Sequence, residues 1–167
     1  MAASPASARA APDAAERVLV ITRMFDAPRA LVFKAWSEPE RARHWMGPRG
    51  FAATHFEQDA RVGGAWRVCL REEASGRELW QGGTFREIVP PERLVYTFAW
   101  DRDDGSRGHE TLITITFAEQ GGKTKMTFRQ ATFETVAQRD AHRGGWSSSF
   151  DRLAEYAAGY AAGPEGR

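Results

Sequence analysis

The chain has 167 residues, 42% hydrophobic and 11% aromatic, with 23 basic against 22 acidic side chains and a formal net charge of +1. That length and aromatic content suit one domain with a buried core and exclude a wholly disordered chain. The charges form no basic block, so nucleic-acid binding finds no support, and no run approaches the roughly 18 apolar residues of a membrane span.

Cys69 is the single cysteine, so no internal disulfide can form and a reducing cytoplasm is the expected compartment. It lies in "AWRVCLRE", a strand-like stretch, which makes it a packed thiol rather than a nucleophile. Residues 1–15 are rich in Ala, Pro and Ser, lack the continuous apolar stretch of a signal peptide, and read as a tail. A single domain is expected over 16–162.

The first strand is expected in "ERVLVITRMF". Asp26 then stands as an N-cap candidate, with Pro28 in the first turn of the helix "PRALVFKAWS". A second short helix, "EPERARHWM", ends at Gly47-Pro48. From 50 to 133 the chain reads as six strands separated by turn signals. Their apolar rows are Trp66, Val68, Leu70; Leu94, Tyr96, Phe98, Trp100; and Ile113, Ile115, Phe117. Short connections make the six an antiparallel meander. In "HRGGWSSSFDRLAEYAAGY" the residues Trp146, Phe150, Leu153, Ala157 and Tyr160 recur at helical spacing, and a helix of about 25 residues would cross the whole sheet. The plan is α+β: a curved seven-stranded antiparallel sheet, two short helices after the first strand, and one long C-terminal helix.

Four stretches, in order, carry a family likeness: "RMFDAPRALVFKAWSEPERARHWMGPRGF", "DARVGGAWR", "GTFREIVPPERLVYTFAW" and "HRGGWSSSFDRLAEY". The chain resembles the START-like, SRPBCC superfamily, in the branch related to the activator of Hsp90 ATPase. The resemblance implies a helix-grip fold, with the sheet wrapped around the C-terminal helix, and a cavity between them for a small, largely apolar or aromatic molecule. Alternation and helical spacing then assign its lining to Trp66, Trp80, Phe98, Trp100, Trp146 and Phe150. Trp45 reads either as a plug on the core or as a wall of the cavity mouth. His142 stands one helical turn before Trp146 and is the expected polar contact. A one-residue slip in any strand would reverse the face of its residues.

The four histidines lack metal-ligand spacing, and no cofactor fingerprint is present, so neither a metal nor a cofactor is expected. No Ser-His-Asp set can be built from the three serines after Trp146, and no catalytic residue is assigned. An alternative is a cyclase-type enzyme using His142 as acid or base, with Tyr96 or an arginine opposite. A further alternative, from the family likeness alone, is a chaperone-associated module. An exposed edge strand leaves a homodimer open. Gly82-Gly83 is read as a site of sheet curvature. Gly144-Gly145 is read as a close approach or bend that makes room for a pocket beside Trp146.

Overall fold

The computed structural model describes residues 14–162. The rest of the expected tail, and the final residues 163–167, lie outside the described residues. Ala14–Arg17 forms a single 3-10 turn, so Ala14 and Ala15 belong to that turn rather than to a tail.

The elements run β1 (Leu19–Phe25), α1 (Arg29–Ser37), α2 (Pro39–Ala42), β2 (Phe51–Gln58), β3 (Ala65–Glu72), β4 (Glu78–Val89), β5 (Arg93–Trp100), β6 (Thr111–Gln120), β7 (Lys123–Ala131) and α3 (Val136–Ala162). All pairings are antiparallel, in the order β1-β7-β6-β5-β4-β3-β2. The meander from β2 to β7 is the expected one. Its last strand then receives β1 as a neighbour, so the start of the chain closes one side of the sheet.

Two local expectations need correction. The N-cap of α1 is Pro28, whose extended backbone (ψ 147°) turns into the helix without a side-chain cap, and Asp26 stands outside it, exposed. A proline in the last extended position already fixes φ for helix entry. The second helix stops at Ala42, and the chain turns through His44 and Trp45 by short-range hydrogen bonds.

Register shifts at Ala53/His55 and Phe85/Glu87 kink β2 and β4 and help curl the sheet. Gly83 serves the same curl by close approach: a Cβ there would lie 1.9 Å from Thr97 O on β5. The Gly82-Gly83 pair, read from the sequence as a site of sheet curvature, thus also answers to close packing at Gly83.

The long helix lies against β1 and α1. Between them Trp36, Phe128, Trp146 and Phe150 form a ring cluster with centroids 4.7–6.3 Å apart. Fully burying an aromatic or aliphatic side chain of this kind is worth about 1.5–3 kcal/mol. Since the helix is anchored at the β1 side, the curled half of the sheet, β3 to β5, stands away from its first turns. That separation is where the site forms.

Candidate functional site

A cleft of about 420 Å³ opens between the first half of α3, the inner face of β3–β5 and the loop after α2. Met46, Gly47, Pro48 and Phe51 form one wall, and Leu70, Leu79, Gln81, Phe98 and Trp100 form the sheet wall. Ala141, His142, Gly145, Trp146 and Ser149 close it from the helix, with Arg77 at the rim. The loop wall is tied to α3. Arg152 donates to the carbonyls of Gly47 (2.8 Å) and Phe51 (3.2 Å), Ser148 accepts from the Arg49 amide (2.9 Å), and Arg49 pairs with Glu155.

The aromatic walls are held by hydrogen bonds at their polar ends, as buried indoles usually are. Trp146 Nε1 donates to Gln130 Oε1 at 2.9 Å, and Gln130 Nε2 donates to Thr111 Oγ1 at 2.9 Å. Gln130 is fully buried, so this chain fixes the Trp146 ring against the sheet. Trp100 Nε1 donates to His142 Nε2 at 2.9 Å. An indole N–H can only donate, so the imidazole accepts at Nε2 and carries its proton on Nδ1. Burial pulls the His142 pKa down from 6.5 to about 4. The ring is therefore neutral at pH 7 with its lone pair already engaged. Phe98 and Phe133 flank it at 5.4 and 4.9 Å between ring centroids. On the far side of the Trp100–His142 pair lies a second hollow of about 350 Å³, reached by Asp101, His109 and Glu134.

Of the residues expected at a cavity, Phe98, Trp100, His142 and Trp146 meet in the cleft. The others go elsewhere. Trp80 is on the outer face of β4, beside His55 (5.2 Å between rings) and under the Arg67 guanidinium (4.9 Å). Its odd-numbered neighbours Leu79 and Gln81 point inward instead, which is the one-residue inversion that a period of two permits. Trp45 is fully buried, donates to Ala35 O at 3.0 Å and packs on Trp36, so it is the core plug and its neighbours Met46 to Pro48 line the cleft. Phe150 is core as well. Trp66 donates to Thr97 O at 2.9 Å and lines a small inner void of about 20 Å³ that continues from the cleft past Gln81.

Sequence reasoning missed Gln81, Arg77 and the Met46–Pro48 wall. The parity of β4 relative to Trp80 was the available signal for Gln81, since Gln81 pairs with Val68 and Trp100 of rows already recognised. The glycine pair on α3 makes room beside Trp146, as expected, but not through a close approach. Nothing lies within 4 Å of a Cβ built on Gly144 or Gly145, so neither permits a close approach. Gly145 instead leaves the cleft unfilled. Cys69 is a buried thiol 3.4 Å from Glu78, and burial pushes its pKa up, as a packed rather than reactive group requires.

Among the described residues no three His, Cys, Asp or Glu side chains converge as a metal site, and no helix is long and apolar enough to cross a membrane.

A seven-stranded antiparallel sheet curled about a long C-terminal helix, with a cleft between them, defines the helix-grip class. Within it, residues 26–158 match the model of the Activator of Hsp90 ATPase homolog 1-like protein family, and the chain belongs to that family. Solved structures of similar proteins agree. One from Chromobacterium violaceum is 29% identical, with a TM-score of 0.78 over 84% of this chain and 96% of its own. An uncharacterized protein from Rhizobium leguminosarum is 30% identical, with a TM-score of 0.74 over 84% and 93%. The AHSA1 protein of Silicibacter pomeroyi, 24% identical with a TM-score of 0.78 over 84% and 97%, shares the fold. A comparison with curated proteins returned no match.

Proposed function

We propose that the chain is a binding protein for one small apolar or aromatic molecule, held between α3 and the inner face of β3–β5. The observation that carries this reading is the cleft itself. Its volume of about 420 Å³ falls in the range of small-ligand pockets, and aromatic walls with a few polar groups are their usual lining. Burial of apolar ligand surface would supply the affinity at about 25 cal/mol per Å².

The cyclase reading fits the site less well. His142 would need a free lone pair and a pKa near neutrality to act as a base, and it has neither. Tyr96, its suggested partner, lines the inner void rather than the cleft, and burial raises its pKa above the ordinary phenol range.

Titration with a panel of aromatic metabolites, followed by tryptophan fluorescence, tests the reading because Trp100 and Trp146 both face the cleft. Gly145→Leu is expected to weaken binding by about 100-fold or more, while raising stability by about 1 kcal/mol through helix propensity. Gly144→Leu should gain similar stability and bind normally, since Gly144 is exposed and outside the lining. Equal loss of binding in both variants would contradict the placement of the ligand. A flat response of the unaltered protein to the whole panel would withdraw the binding reading. It would leave the chaperone-partner role that the family's description raises.

A further inference from the structure

Gln81 makes an unusual wall for an apolar cleft. It is only 4% exposed, no hydrogen bond joins its side-chain amide to another described residue, and its polar atoms are not among those wholly shut off from solvent, so the amide opens on the cleft. It stands where the cleft meets the inner void, lining both together with Met46 and Trp146. Its strand partners are Val68 and Trp100, so nothing beside it on the sheet can satisfy two N–H donors and a carbonyl. Buried side-chain amides are nearly always paired, and one left open toward a cleft marks the spot where a ligand's polar atom belongs. The charge of that atom is constrained too. The polar groups near Gln81 in the cleft and the inner void, Ser149, Gln58 and the Trp36 indole, are all uncharged, so a bare carboxylate at this depth would lose its hydration without gaining a cation. The cation on the cleft is Arg77, in the connection just before β4 and four residues from Gln81, about 13 Å along the backbone.

Resting on the binding reading above, we infer that the ligand is an aromatic molecule with an uncharged hydrogen-bonding end, such as a carboxamide, ring carbonyl or hydroxyl, seated on the Gln81 amide. The aromatic body lies between Trp146 and the Phe98–Trp100 wall. A plain hydrocarbon would leave the amide dry and unpaired. An acid would have to turn around and place its carboxylate at the rim.

Calorimetric titration with naphthalene, 2-naphthamide and 2-naphthoate tests the assignment, using the unaltered protein and Gln81→Met. Methionine keeps the length and apolar character of the site. The unaltered protein is expected to bind 2-naphthamide at least 10-fold more tightly than naphthalene or 2-naphthoate. In Gln81→Met that preference should vanish while naphthalene binds as well or better, and the melting temperature should hold or rise because an amide without a hydrogen-bond partner in the fold has been removed. A naphthamide preference that survives in Gln81→Met, or a failure to prefer it in the unaltered protein, overturns the assignment while leaving the cleft intact. A lower melting temperature for Gln81→Met with unchanged preference makes Gln81 a structural residue and overturns it as well. Absence of heat with all three probes overturns the cleft reading and this assignment with it.

Discussion

Gly83→Ala is expected to destabilise the fold by about 3 kcal/mol or more, a fall in Tm of about 10 °C for a chain of this size. The added methyl would lie 1.9 Å from Thr97 O and 2.7 Å from Trp66 Nε1. The first contact is with backbone, which cannot rotate away, so β4 and β5 must separate locally. The second is with the indole that donates to Thr97 O at 2.9 Å. Moving it aside leaves a buried N–H without its acceptor, itself a loss of about 1–3 kcal/mol. Gly144→Ala is the matched control, because its Cβ meets nothing within 4 Å and alanine is the better helix former. Urea denaturation of both variants checks the prediction, and a Gly83→Ala protein within 1 kcal/mol of the parent would refute it.

The contrast between these two glycines shows what the sequence could and could not convey. A glycine pair inside the β4 strand pattern already pointed to sheet curvature, because strands tolerate glycine poorly. The pair on α3 looked like the same signal, yet space rather than contact explains Gly145. A missing side chain reads identically in sequence whether it admits a backbone or preserves a void.

The fold was legible for a similar reason that the site was only half so. Alternation in β5 and β6 and the helical spacing of Trp146, Phe150 and Leu153 identify faces, and faces determine a two-layer architecture. A cleft depends on where those layers fail to touch. That follows from the anchoring of α3 at β1 and from the curl of β3–β5, neither of which has a local pattern. Aromatic size was a misleading guide to the lining. Trp45 and Phe150 fill the core, Trp80 faces outward, and the smaller Leu79, Gln81 and Pro48 face the cleft. His142, one helical turn before Trp146, lines the cleft beside it. Its hydrogen bond to Trp100, which changes it from a candidate base into a fixed wall, joins residues 42 positions apart.

That hydrogen bond leads to the second large effect, a loss of stability in mild acid. The folded protein holds His142 neutral with a pKa of about 4, against 6.5 for the unfolded chain. As the pH falls below 6.5 the unfolded state takes up the proton first, so the equilibrium shifts toward unfolding. The contribution is fully present above pH 6.5 and is lost as the pH falls to about 4, amounting to about 3 kcal/mol in all. Asp101 also favours its charged form in the fold, through its hydrogen bond and ion pair with Arg67. Its own loss begins as the unfolded carboxyl takes up a proton near 3.8, at the low end of the His142 window, so the two windows overlap little. His142→Gln supplies an amide oxygen to Trp100 without a titrating proton. It should flatten the stability profile between pH 6.5 and 4 while leaving the steeper fall below that range. Urea denaturation of both proteins at pH 7, 5.5 and 4 reads the difference directly. Parallel losses in the two would mean that His142 opens to water in the folded state, and the Trp100–His142 pair would then be a weak partition rather than a fixed wall of the cleft.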